Sequence, residues 1–441
     1  MTVIGIVFIA ALGLGLISGR NGYNYVLAAT IGFNDSSIVQ AGSVVVSPFY
    51  AGAIVWIIAN STIWRRPRER HGQSLAILFV VFSALVTAVG PTVFRGMGVV
   101  ASDIGLDQQA GRLTPLEYTT SNAAQLIYLA VVVTILALNT SDGIRERHVM
   151  TGLVVGSLTA LSSMVLPSWP HQFFDNRGDG FYSIETIRVR GQFAEPSHLG
   201  AFALVCCIFF VTRLVGAKAL RQGLVSGAWA AVSALLLSVS ATGTALIGLP
   251  IAVVVAGTLL IARWVRSGKN LNPLVVIVAA FSPVVAAAVA FRYWTDVVEA
   301  IVQKTGSSSY STRTFVDANA LHVLVDSWFF GVGAGSNRGS SLLLMILSQV
   351  GVIGTLLFLL LMWRAVRKGY AHSTSVAAAS GLVAFLCAAF VSLADLVSPI
   401  MWLLVIVCMS STSRGAVPER ADDTSANHPI NEVSNAHRPR H

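Results

Sequence analysis

Between Arg188 and Leu204 the chain reads RVRGQFAEPSHLGAFAL, two arginines, a glutamate and a histidine set directly ahead of an apolar run. Arg188 and Arg190 are two residues apart, so in an extended segment they point the same way and can meet one anionic group together. Guanidinium forks suit phosphate, because they donate parallel hydrogen bonds and stay charged at any working pH. The plainer alternative for each is contact with lipid headgroups at a membrane interface. Glu195, Pro196 and Ser197 read as a helix entry, since proline fits the first turn and an acidic group is favoured at the positive end of the dipole. His198 follows one turn or less into the apolar segment, where a carboxylate beside it would hold it as a proton acceptor. A structural histidine is the competing reading there.

A second group of ionisable residues lies in TGSSSYSTRTFVDANALHVLVDSWFFGVGAGSNRGSS, which starts at Thr305. From Thr312 to Trp328 the apolar positions Phe315, Ala318, Leu321, Val325 and Trp328 recur every third or fourth residue, which predicts an amphipathic helix lying along a membrane surface. Arg313, Asp317 and His322 then fall on its other side or at its start. Gly331, Gly333 and Gly335 follow a helix and not a strand, so they are a turn into the next span and not a dinucleotide site. No paired carboxylates of the DxD type occur in these segments, and Asp422 and Asp423 belong to the C-terminal tail. A diphosphate here would be balanced by arginines and not by a metal ion, and no cofactor is called for.

The elements that must position these groups are helices in a bilayer. Hydrophobic residues make up 54% of the 441 and charged residues 11%, less than half the roughly 25% of a soluble domain. Apolar runs near the length of a hydrocarbon core fall at about 3–18, 42–60, 74–94, 122–139, 150–167, 197–215, 223–239, 242–262, 271–291, 340–363, 376–394 and 397–411. The expected fold is all-α and polytopic, with about twelve transmembrane helices in one domain over residues 1–413. The tail 414–441, polar and almost without apolar residues, reads as disordered and cytoplasmic. The net charge of +9 comes from short clusters between apolar runs, which is a topology signal and not a nucleic-acid surface. Cys206, Cys207, Cys387 and Cys408 all lie inside apolar runs and suggest neither a disulfide framework nor a metal site.

With the N-terminus inside, Lys and Arg alternate between rich and poor loops as the positive-inside rule requires. Arg65, Arg66, Arg145, Arg147, Arg213 and Arg263 are then cytoplasmic, while Arg20, Arg95, Arg190 and Arg313 are outside. The first segment is kept as a helix and not a signal peptide, because it has no basic leader and the RRPRER at 65–70 needs a preceding inward crossing. Two long outer segments, about 168–196 and 292–339, hold most of the outer positive charge. Arginine should be scarce on that side, so the arginines there answer to something other than topology.

The run RVRGQFAEPSHLG resembles the Arg-x-x-x-Phe-x-Glu-Pro-Ser signature of Wzy-like O-antigen and exopolysaccharide polymerases, members of the O-antigen ligase and polymerase superfamily. LSVSATGTAL resembles that family's Ser-x-Ser-x-x-Gly hairpin, with Ala241 and Thr242 where many relatives place an arginine. STRTFVDANALHVLVDSWFFGVGAGSN resembles its Arg-led helix ending in Gly-Val-Gly-x-Gly, and LLLMILSQVGVIGTLLF and DLVSPIMW resemble the spans that follow. The resemblance runs in order from Arg188 to Trp402.

It implies a GT-C-like, metal-independent glycosyltransferase at the outer, periplasmic face of the bacterial cytoplasmic membrane. A growing glycan would pass from undecaprenyl diphosphate onto an incoming lipid-linked oligosaccharide, with a chain-length regulator as a further partner. Arg188, Arg190, Arg313 and Arg338 would bind diphosphate; Glu195, His198 or His322 would take the acceptor proton. Two alternatives stand beside this. A ligase would transfer to a different acceptor, but ligases typically carry a His-Asn pair where this chain has GSNRGSS. A lipid-linked glycan flippase would place charges within its spans and show a repeat between its halves, and the spans here carry few charges.

Overall fold

A chain that leaves water must satisfy every backbone N–H and C=O internally, so so apolar a sequence folds into helices. The computed structural model describes residues 3–41, 44–63, 73–101, 112–140, 143–166, 189–240, 242–267 and 308–410. Its helices in chain order are α1 Val3–Ile17, α2 Gly19–Ala29, α3 Pro48–Thr62, α4 Ser74–Val93, α5 Thr120–Leu138, α6 Glu146–Val165, α7 Pro196–Val215, α8 Leu220–Ser240, α9 Gly243–Ser267, α10 Ser308–Asp326, α11 Leu342–Ala371, α12 Val376–Ser392 and α13 Pro399–Ser410. Seven of them (α4 to α9 and α11) are long and apolar enough to cross a membrane, and the chain is a multi-pass helical membrane protein. Helices overlie eleven of the twelve apolar runs. The run 271–291 lies outside the described residues, as do Arg188, the tail 414–441 and most of the segment 168–196.

The fold is mainly helical, as expected, with two short antiparallel strand pairs between helices: Val39–Ala41 (β1) with Val44–Val46 (β2), and Gly98–Val99 (β3) with Thr114–Pro115 (β4). Two expectations need correction. The first concerns α2, legible only as a loop because an eleven-residue GRNGYNYVLAA holds no run long enough to register as a span. It packs against α1 and α6 and is prolonged by a 3-10 turn at Thr30–Phe33.

The second correction follows from the first. At one end of the bundle Arg213 pairs with Glu146 at 2.7 Å, Arg147 donates to Asn21 at 2.6 Å, and Arg20 donates to Thr140 at 3.2 Å. At the opposite end Phe8 meets Phe33 edge-on at 5.2 Å, beside Asp35, and Tyr50 donates to the Val397 carbonyl. So α1 and α2 are an antiparallel pair: Arg20 sits with Arg147 and Arg213, not with Arg190 and Arg313, and the start of α1 lies at the opposite end, against the expectation that the N-terminus shares the side of Arg147 and Arg213.

Every residue of α13 is buried, packed against α11 and α12. α11 is broken at Gly351, whose backbone is left-handed (φ +65°, ψ −171°). The break releases the carbonyls of Ser348 and Gln349 from helical bonding, and they accept the N–H groups of Val332 (3.1 Å) and Gly333 (2.7 Å). A Cβ at Gly351 would stand 2.2 Å from the Phe329 carbonyl oxygen, so only glycine admits this contact.

Candidate functional site

The loop ahead of α7 is tied down residue by residue. Gly191, with φ +63°, lets the chain turn so that the Phe193 N–H reaches the Arg190 carbonyl at 3.2 Å, while Arg190 Nη1 donates to the Phe193 carbonyl at 2.8 Å. Gln192 Nε2 donates to the carbonyls of Gly32 (3.1 Å) and Gly156 (3.0 Å). Those two glycines let the 3-10 turn lie against α6, since a Cβ on Gly32 would be 2.8 Å from the Gly156 Cα. Ala194 N–H then donates to Asp35 Oδ2 at 2.8 Å.

Glu195 occupies the N-cap of α7, with Pro196 in its first turn, as the sequence predicts, but its side chain makes no cap bond. The carboxylate instead accepts from Ser197 Oγ at 2.9 Å. One turn on, His198 Nδ1 lies 2.8 Å from Asp35 Oδ2. Asp35 is thus the carboxylate beside His198, and it comes from the start of the chain. Nothing in its sequence surroundings, GFNDSS, marks it.

On the other side, α10 begins with Thr312 and Val316 buried and Arg313 partly exposed. Asp317 accepts both the N–H (2.8 Å) and the Oγ–H (2.6 Å) of Ser340, which fastens α10 to the entry of α11. Between them Asn337 is fully buried: its Oδ1 accepts the Val100 N–H at 2.9 Å and its Nδ2 donates to Ser348 Oγ at 3.0 Å. The Arg338 N–H donates to the Val100 carbonyl at 3.0 Å. With Asn337 locked inward, its neighbour Arg338 reaches the cavity.

These groups surround one cavity of about 330 Å³. Glu195, His198 and Asp35 line it together with Arg313, Arg338 and Ser340, and α3, α5 and the α12–α13 turn add Tyr50, Tyr128, Gln125 and Asp395. The Tyr50 and Tyr128 rings stack at 3.9 Å. Asp395 accepts from Asn34 Nδ2 at 3.2 Å and from the Val397 N–H at 3.1 Å. Burial raises the Glu195 carboxyl, but His198, the Ser197 hydroxyl, Arg338 and Arg313 outweigh it and hold the group below its ordinary value. Glu195 is therefore a carboxylate at neutral pH, facing two guanidinium groups. The Arg313 guanidinium makes no hydrogen bond among the described residues.

Of the residues read from sequence, the structure brings Glu195, His198, Arg313 and Arg338 to this cavity. Arg190 does not line it; the residue is 5% exposed and bonds within its own loop. His322 is exposed on α10 and is not part of the wall. Arg188 lies outside the described residues. Sequence reasoning missed Asp35, Asp395, Tyr50 and Tyr128 as site residues; of these only Asp395 stands in a motif, as the first residue of DLVSPIMW. Among the described residues no three His, Cys, Asp or Glu side chains are grouped to hold a metal ion.

The apolar stripe expected on α10 is also placed. Leu321, Val325 and Trp328 are exposed, while Val316, Ala320, Val323 and Leu324 are buried towards α11 and β3. The helix is apolar on two sides, one packed and one open.

In comparisons with known proteins, the sequence matches no protein-family model and no curated protein.

Proposed function

We propose that this is a polymerase of lipid-linked glycans, transferring a growing chain from undecaprenyl diphosphate onto the terminal hydroxyl of an incoming lipid-linked repeat unit. One observation carries the reading: two segments more than a hundred residues apart, each holding a family-like motif, contribute Glu195 and His198 from one and Arg313 and Arg338 from the other to a single cavity. The arginines bind the diphosphate and stabilise the charge that grows on it as the glycosidic bond breaks. No metal is needed for that balance. Sugar hydroxyls meet the amide and carboxylate groups of Gln125 and Asp395 and the ring of Tyr128.

The outer face of a bacterial cytoplasmic membrane suits the site. The cavity lies at the bundle end away from Arg145, Arg147 and Arg213, and basic loops mark the cytoplasmic side. A GT-C-like arrangement and a chain-length regulator partner belong to the same reading.

The test is reconstitution of the purified protein in lipid vesicles with a lipid-linked repeat unit, followed by sizing of the product with and without chelator. Chains longer than the repeat unit, formed equally in both, are the expected result. Absence of any extension by the wild-type protein would refute the proposal.

A further inference from the structure

The cavity holds two groups fit for proton transfer, Glu195 and His198, and the polymerase reading alone does not divide the labour between them. Asp35 does. It is 4% exposed, and its single oxygen Oδ2 receives both the Ala194 N–H and His198 Nδ1 at 2.8 Å. An oxygen holding two donors, one of them a backbone amide fixed by the Arg190–Phe193 turn, leaves the imidazole ring one orientation. Nδ1 is committed to Asp35, so Nε2 is the nitrogen left to act on a ligand, and a carboxylate that accepts from Nδ1 favours the imidazolium, in which each nitrogen carries a proton.

Resting on the polymerase reading, we propose that Asp35 is a positioning residue that holds His198 as the proton donor to the departing diphosphate, which assigns the base to Glu195. As the acceptor oxygen bonds to the anomeric carbon, its proton passes to the Glu195 carboxylate. The bond between that carbon and the diphosphate oxygen breaks, its electron pair stays on the oxygen, and the Nε2 proton of His198 neutralises it. The step ends with a Glu195 carboxylic acid and a neutral imidazole, and proton exchange with water restores both. Arg313 and Arg338 hold the rest of the diphosphate charge throughout. Asparagine at position 35 would keep an acceptor for the Ala194 N–H while removing the charge that fixes the imidazolium, as the wrong partner does for a catalytic histidine elsewhere.

The experiment uses the reconstituted full-length protein and a lipid-linked repeat unit. Asp35→Asn is expected to lower kcat by about 10²- to 10⁴-fold with KM for the repeat unit unchanged within about threefold, since Asp35 orients a group whose work is in the transition state. Combining Asp35→Asn with His198→Gln is expected to be no slower than His198→Gln alone, the non-additivity of two residues acting as a unit. Should Asp35→Asn fail to reach the membrane, Asp35→Glu is the second variant, and a fall in kcat with KM retained is expected of it too. A retained kcat, a rise confined to KM, or full additivity with His198→Gln overturns the inference. Those outcomes require an active wild type, so they are distinct from the failure of the polymerase reading, in which the wild type extends nothing.

Discussion

Ser340 gives both its N–H (2.8 Å) and its hydroxyl (2.6 Å) to the carboxylate of Asp317. This clamp joins the helix that carries Arg313 to the loop that carries Arg338, so the spacing of the two cavity arginines depends on it. Hydrogen bonds to a charged group contribute about 1.5–3 kcal/mol. Asp317→Ala is expected to lower thermal stability in detergent by that order and to reduce polymer formation at least tenfold. Unchanged activity would show that Arg313 and Arg338 need no fixed register.

The cavity arginines and the buried one should fail differently. Arg313→Ala and Arg338→Ala are each expected to cut chain extension by about 10²-fold or more with normal membrane levels, and lysine at either position should restore little, since it keeps the charge but loses the fork. Arg190→Ala is expected instead to lower the amount of folded protein, because it removes the Nη1 bond that closes the loop to Phe193. Immunoblots of membranes beside a glycan ladder separate the two outcomes.

Glu195 sets an acid limit. Its carboxyl is held below the ordinary value of 4.5, so the charged form favours the folded state. That contribution is complete above the ordinary value and is lost as pH falls through the lower folded one. In thermal melts, Glu195→Gln should be less stable than wild type at neutral pH, and the gap should close below about pH 4. A constant gap across that range would mean the carboxylate gains nothing from its neighbours.

Gly351→Ala should prevent accumulation of the protein. The left-handed backbone alone costs a non-glycine residue about 1–2 kcal/mol, and the added Cβ meets the Phe329 carbonyl at 2.2 Å. Normal membrane levels of this variant would contradict the break in α11.

The open side of α10 ends in three exposed aromatics, Trp328, Phe329 and Phe330, the first two held at positive φ (52° and 66°). Aromatic rings of this kind favour the interfacial layer of a bilayer. Lipids brominated along the acyl chain should quench wild-type tryptophan emission more than that of Trp328→Phe. Equal quenching would place the ring in water.

Much of the fold was written in the pattern of apolar runs, because a span needs length and hydropathy and both are local properties. The exception was α2, whose Gly19, Asn21 and Asn24 look like a loop; it is helical because Asn24 accepts the Trp56 indole N–H at 2.7 Å and Arg147 holds Asn21, partners only the fold supplies. The site was half legible for the same reason. Glu195, His198, Arg313 and Arg338 stand in compact groups of ionisable residues that are out of place beside apolar runs. Asp35 is one carboxylate in a polar turn, and its meaning lies wholly in a contact across 163 positions of chain. Arg190 had the right chemistry in sequence, but its Nη1 bonds the Phe193 carbonyl and the residue does not line the cavity.

The pairing of α1 with α2 bears on how the molecule is handled. Ile4 and Phe8 of α1 pack with Phe33, two residues from Asp35 in the cavity wall, whereas α13 ends where the Met409 carbonyl accepts from Lys368, at the far end. A protease-cleavable tag ahead of Val3 and another after Ser410 should therefore be cut from opposite sides of a sealed vesicle. A bulky fusion at the front would crowd the cavity end, so purification handles belong at the back.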